Sequence, residues 1–241
     1  MAEALLKVDS VTKNFGGFTA LSEVTTEVKA GERFGLIGPN GSGKTTLINC
    51  ISGTLTNDGG SIIFDGQDLQ GMKAHVRTAA GITRTFQIPR PFHSMTIIDN
   101  LKIPLEFVSA SGRAQTEIRD EAMSILETMG MAEKADEETS GLTQIELRKL
   151  ELARAIAAKP KLLISDEAMA GLTGNEVDEV TQILINFNEQ GMTIIMIEHI
   201  MRAVMQFSQR VICLDAGQLI AEGTPDIIQK DKGVERAYLG V

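Results

Sequence analysis

GPNGSGKTT at residues 38–46 stands between an apolar run, FGLI at residues 34–37, and the helix-like LINCIS at residues 47–52. Strand, glycine-rich turn and helix in that order form the setting in which a backbone wraps a phosphate chain. Gly38, Gly41 and Gly43 let the chain turn with its N–H groups inward, where they and the start of the next helix hold phosphate oxygens. The predicted phosphate loop is therefore Gly38, Pro39, Asn40, Gly41, Ser42, Gly43, Lys44, Thr45 and Thr46. In such a loop Lys44 is expected at the β- and γ-phosphates of a nucleoside triphosphate, and the Thr45 hydroxyl on Mg²⁺.

Downstream, LLISDEAMAGL at residues 162–172 ends a second apolar run with adjacent carboxylates. Asp166 is placed to face the Mg²⁺ shell, and Glu167 to take a proton from a water attacking the γ-phosphate. Short β-branched segments at residues 5–8, 24–28, 34–37 and 61–64 predict a β-rich first third. Between Arg113 and Lys159 the period changes, with Ile118, Ala122, Ile125, Leu126 and Met129 on one helical face. Then LLIS, MTIIMI and RVICLD alternate with helix-like segments, as strands buried on both faces of a parallel sheet do. The predicted fold is α/β: a P-loop NTPase core with an N-terminal antiparallel β portion and an inserted helical subdomain. Residues 1–87 and 160–241 form the core and 88–159 the helical part of a single domain.

Composition narrows the function. Of 241 residues, 43% are hydrophobic and 23% charged, enough apolar material for a real core. The net charge of −9 gives no general attraction to phosphate polymers, and nine Phe with one Tyr and no Trp give little stacking surface, so nucleic acid is not an expected partner. The start, MAEALLKVDS, lacks the basic flank and apolar stretch of a secretory leader. The best apolar run, MTIIMI, stops at Glu198, far short of the roughly 20 residues that span a bilayer, so any membrane role is expected to be peripheral. Cys50 and Cys213 have no metal-ligand spacing and are expected to be buried free thiols in a reducing compartment.

Over almost its whole length the sequence resembles the nucleotide-binding subunits of ABC transporters. By that resemblance ThrPheGln at residues 85–87 is the Q-loop, whose Gln87 reaches Mg²⁺ or the attacking water and faces the transmembrane partner. His199, just after MTIIMI and Glu198, matches the histidine that contacts the γ-phosphate. AlaGlyLeu at residues 170–172 falls at the D-loop, and Phe15 where an aromatic stacks on adenine. GITRTFQ at residues 81–87, MTIIDN at 95–100, EHIM at 198–201 and AYLG at 237–240 look like the branched-chain amino acid importers within that family. The resemblance implies ATP and Mg²⁺ as cofactors and a peripheral place on the cytoplasmic face of the inner membrane. Its implied partners are transmembrane permease subunits docked near Gln87 and the helical block, with Arg84, Arg90 and Phe92 at the border. It also implies a solute-binding protein acting indirectly and a second ATPase subunit, identical or a paralogue.

One departure stands out. Ten residues before Ala153 the family signature LSGGQ is replaced by Leu142, Thr143, Gln144, Ile145 and Glu146. The family's signature covers the γ-phosphate bound to the opposite subunit. Here Ile145 is expected to add bulk and Glu146 negative charge beside that nucleotide. Thr143 keeps a hydroxyl, and the N–H groups of Thr143, Gln144 and Ile145 remain as donors. Either the loose signature suffices for hydrolysis, or the chain works in an asymmetric pair whose site on Lys44 faces a different partner's intact signature. Two other readings share parts of the pattern: a non-transport ABC-type ATPase, and a P-loop kinase, which leaves Gln87 and His199 without a role.

Overall fold

In the computed structural model, which describes residues 4–108 and 113–239, two long strands, β1 (Ala4–Phe15) and β2 (Phe18–Lys29), make an antiparallel hairpin. They are followed by β3 (Arg33–Ile37), α1 (Lys44–Ser52), β4 (Gly59–Phe64), β5 (Gln67–Asp68), α2 (Ala74–Ala80) and β6 (Ile82–Arg84). Three helices then intervene: α3 (Ile97–Val108), α4 (Gln115–Thr128) and α5 (Gln144–Ala157). The chain returns as β7 (Leu162–Asp166), α6 (Gly174–Glu189), β8 (Thr193–Ile197), α7 (Met201–Phe207), β9 (Arg210–Asp215) and β10 (Gln218–Gly223). It closes with α8 (Pro225–Ile228) and α9 (Lys232–Leu239). Gly240, the last residue of the AYLG quartet, lies outside the described residues.

One sheet has the order β2-β1-β4-β5 and is antiparallel. The other runs β10-β9-β3-β8-β7-β6 and is parallel except for the β9–β10 hairpin. Its central strands are buried on both faces. Phe34, Leu36, Leu162, Ile164, Ile195 and Ile197 join the core under the antiparallel sheet, whereas Leu163, Ile194, Met196, Val211 and Cys213 join the core shared with the helices. With no face left to solvent, such strands read as unbroken apolar runs. Both cysteines are free and buried, and burial pushes the Cys213 thiol up to about 11.

α3, α4 and α5 pack on one another, with Ile118, Ala122, Leu126 and Met129 of the α4 stripe buried and Ile125 partly so. The N-terminal strands are longer than their apolar segments suggest. Ser10 and Glu23 take positive φ of 50° and 52°, and the β1–β2 register shifts between Val8 and Val11. Such bulges carry the pairing through polar residues that break the alternation. β6 and β10 also lack an apolar run: β6 is an edge strand of three residues, and β10 leaves Gln218, Ile220 and Glu222 exposed.

The helix behind the phosphate loop is anchored by a buried arginine. The last carbonyls of a helix have no partner within it. Arg77, 4% exposed, donates to the Cys50 and Ile51 carbonyls of α1 at 2.6 and 2.9 Å, and to Met72 and Leu69 at 3.0 and 2.8 Å. Arg77→Met is expected to lower unfolding stability by about 3 kcal/mol, because it leaves buried carbonyls unpaired. Urea denaturation checks this; a loss under about 0.5 kcal/mol, the ordinary scatter of surface changes, would show that the carbonyls find other partners.

Candidate nucleotide site

The loop at 38–46 leaves β3 in the middle of the parallel sheet and is wedged by its neighbours. Gly38 has φ +149° and Gly43 φ +105°. A Cβ on Gly38 would stand 2.2 Å from the Leu214 carbonyl oxygen, and one on Gly43 2.7 Å from that of Ala20. Only glycine fits either place. Lys44, 6% exposed, donates from Nζ to the Gly38 and Pro39 carbonyls at 2.7 and 3.0 Å. Burial pushes its ammonium below the usual lysine range, against the pull of Glu167, Cys213 and Asp166. Residues 40–46 of the loop, with Phe15, Phe18, Ala20, Glu167 and His199, line a cavity of about 280 Å³.

Gln87, Glu167 and His199 follow three neighbouring strands, and their side chains meet. Gln87 Nε2 donates to Glu167 Oε2 at 2.5 Å, and His199 Nε2 lies 2.8 Å from Glu167 Oε1. Glu167 sits at φ +48°, a region an L residue adopts at a cost, with its N–H bonded to the Ile197 carbonyl at 2.9 Å. That backbone turn aims its carboxylate into the cavity. Beside it, the Asp166 N–H donates to Thr85 Oγ1 at 3.0 Å, and the Asp166 carboxylate accepts from Arg84 at 2.5 Å. The Thr45 hydroxyl and Asp166 carboxylate are oxygen donors of the kind Mg²⁺ takes, with phosphate oxygens and water completing its shell. The donor set therefore fits Mg²⁺.

Arg84 is more than a solvated surface residue: its guanidinium turns inward and bridges Asp166 to Asn49 of α1, the latter at 2.5 Å, while the side chain also lines the groove beside Phe86. Arg90 is exposed, and Phe92 lies under Arg154, 4.8 Å from its ring centroid.

The signature region differs as well. Thr143 is the N-cap of α5, and both its N–H and its hydroxyl donate to Glu146 Oε2, at 2.8 and 2.9 Å. Those two donors are spent within the chain. Glu146 is no free charge: Lys134 pairs with it at 2.6 Å, and that contact, with the Thr143 bonds, pulls its carboxyl down to about 2. Ile145 packs against the core instead of projecting as bulk, and Gln144 donates to the Ala170 carbonyl at 3.3 Å.

Sequence reasoning missed Phe18, whose Cα is paired with that of Phe15 across the Gly16-Gly17 turn; an aromatic on each side of a glycine pair was the available signal. It also missed Glu198, 2% exposed, whose Oε1 accepts the Met169 N–H at 2.9 Å. Burial pushes this carboxyl up to about 7; the Met169 bond opposes that and nearby Glu167 adds to it.

A family model described as ABC transporter matches residues 21–170. The high-affinity branched-chain amino acid transport ATP-binding protein LivG of Escherichia coli is 37% identical, with 100% of this chain and 99% of that protein covered. BraF of Pseudomonas aeruginosa, with the same description, is 34% identical over the same shares. A solved structure of the ADP conformation of MJ1267, an ATP-binding cassette of an ABC transporter, superposes with TM-score 0.89 at 30% identity, covering 99% of this chain and 100% of that one.

Glu198 gives a pH test. Unfolded, its carboxyl ionises near 4.5; folded, near 7. Between those values the folded state holds a proton the unfolded state has released, so stability falls as pH rises. Over that window the loss is on the order of 3 kcal/mol. Glu198→Gln keeps an acceptor for Met169 and is expected to flatten the stability profile between about pH 4.5 and 7 relative to the parent. Thermal unfolding across that range checks this; an unchanged slope would place the titration elsewhere.

Proposed function

The chain belongs to the ABC transporter family of ATP-binding proteins, and on that premise we propose that it binds and hydrolyses ATP to drive uptake of branched-chain amino acids or a similar small solute through separate membrane subunits. The observation that carries this reading is that Gln87 and His199 meet on Glu167, and that Glu167 and His199 line the cavity that holds Lys44. LivG and BraF, similar along the whole chain, support the solute class.

In the proposed reaction the loop N–H groups and Lys44 hold the triphosphate, and Phe15 and Phe18 offer ring faces to the base. Thr45 and Asp166, with Gln87 nearby, would hold Mg²⁺, which would supply charge neutralisation at the phosphates. Glu167 takes a proton from water as its oxygen bonds to the γ-phosphorus and the bond to the β-phosphate oxygen breaks, leaving ADP and inorganic phosphate. Each Glu167 oxygen has one partner, Gln87 or His199, and keeps a second lone pair for the water, so neither partner has to leave, although a bound phosphate can draw one away. His199 is the natural one to move, because a γ-phosphate offers it an acceptor of higher charge.

A second ATPase subunit closes over the loop face in this reading, and permease subunits dock where Phe86, Ile88, Phe92 and Phe107 are exposed. No helix among the described residues is long and apolar enough to cross a membrane, so attachment to the cytoplasmic face runs through those subunits. A solute-binding protein acts beyond them. The partner ATPase is proposed to be a different chain. Thr143 spends its N–H and its hydroxyl on Glu146, two of the donors this signature would offer a nucleotide on the partner, so the site it covers is the slower one.

Calorimetry with Mg²⁺ and ATP tests the core of the proposal. Lys44→Ala is expected to weaken ATP binding at least about a hundredfold, through loss of charge-assisted bonds to phosphate. Glu167→Gln should retain binding while turnover, read as phosphate release, falls by about 10²-fold or more. Wild-type turnover in Glu167→Gln would remove the base from this mechanism. In a mixed dimer, Glu167→Gln in this chain is expected to cost more turnover than the matching change in the partner; equal losses would end the asymmetry.

A further inference from the structure

Tyr238, in the AYLG quartet near the carboxy terminus, has no part in the chemistry above, yet its side chain reaches the phosphate loop. Its hydroxyl oxygen accepts the Gly38 N–H at 2.9 Å, across 200 residues of sequence. On its other side, Gly38 offers its carbonyl to Lys44 Nζ at 2.7 Å. The residue that opens the loop is thus held twice, once by the last helix and once by the lysine meant for phosphate.

The surroundings leave Gly38 little room to adjust. Its Cα packs so closely on the Leu214 carbonyl and on Ser42 Oγ that a Cβ would stand 2.2 and 2.6 Å from them. α9 is itself anchored: Val234, four residues before Tyr238 and on the same helix face, is buried at 6% exposure. Around this face Met201, Ile228 and Tyr238 line a groove of about 400 Å³. Burial pushes the phenol above its usual range, while the Gly38 bond works the other way.

A lysine ammonium has three N–H donors. With two of them on the Gly38 and Pro39 carbonyls, the third is free to point along the loop at a phosphate, and the long side chain is ordered before the ligand arrives. The direction of that ammonium depends on where the Gly38 carbonyl stands. We propose that Tyr238 is a positioning residue for Lys44, its hydroxyl fixing Gly38 so that the Gly38 carbonyl sets the lysine for the phosphate tail. The proposal rests on the ATP-binding reading above and adds to it a role for the last helix.

Tyr238→Phe removes the hydroxyl and keeps the ring. In the full chain it is expected to raise the KM for ATP about threefold to tenfold, the scale of one lost neutral hydrogen bond, with kcat changed less than about twofold. The Gly38 amide should exchange with solvent faster in the variant than in the parent. Because the chain has one Tyr and no Trp, tyrosine emission of the unaltered protein reports Tyr238 alone, and it should change when Mg-ATP is added. Unchanged Gly38 exchange together with an unchanged KM would overturn the proposal, as would a fall in kcat at constant KM. If the parent itself failed to bind Mg-ATP, the function proposed above would fall instead, and Gly38 exchange would still decide the contact.

Discussion

The site depends on the register of three parallel strands. Leu36 of β3 stands opposite Ile197 of β8, and Ile197 opposite Asp166 of β7. The residues that follow, Gly38, Glu198 with His199, and Glu167, are therefore delivered to one edge of the sheet. A parallel sheet places its carboxyl ends together in this way, and ligands bind in the crevice there. The Glu167 N–H on the Ile197 carbonyl adds a last rung past the end of β7, and its positive φ turns the side chain from the sheet into the cavity. A slip of one residue would send that carboxylate to the opposite face.

The same convergence crowds three carboxylates beside a loop shaped for anions, in a chain of net charge −9. Each has a different local solution. Asp166 has the Arg84 guanidinium, Glu167 has the Gln87 amide and His199, and Glu198 has the Met169 N–H and a carboxyl held near 7 by burial. Overall charge therefore says little about what the cavity accepts. Charge within a few ångströms counts for more there, because solvent screens it less, and buried Lys44 at the start of α1 lies on that edge.

What the sequence made legible follows from the range of each signal. Apolar runs in the sheet and the α4 stripe are local patterns, and they located β3, β7, β8, β9 and α4 within a residue or a few. The phosphate loop is also local, since nine consecutive residues carry it. Arg84 was placed on the surface because its partners, Asn49 and Asp166, lie 35 and 82 residues away. Tyr238 is more remote still. Glu198 reads as a charged strand end, the usual sign of solvent, and nothing local announces that Met169 and the core close over it. The signature text, too, suggested an exposed negative charge at Glu146, whereas Lys134 and the Thr143 cap absorb it.

Two arginines tie the helical block and α1 to the residues around Glu167. Arg148, one turn into α5 from Thr143, donates to the Gln87 carbonyl and, at 3.0 Å, to the Ala170 carbonyl. The helix that opens with the altered signature thus grips the segments on both sides of Glu167. Arg84 makes the complementary link: it ties Asp166 to Asn49, which lies one helical turn beyond Thr45 on α1, so the end of β7 and α1 are joined by one planar guanidinium. Arg84 also stands 5.8 Å from the Phe86 ring centroid, and both residues line the groove between α2, β6 and α5. A planar guanidinium bonded at both ends fixes Asp166 and Asn49 relative to each other, so β7 and α1 are joined through a side chain that also faces that groove.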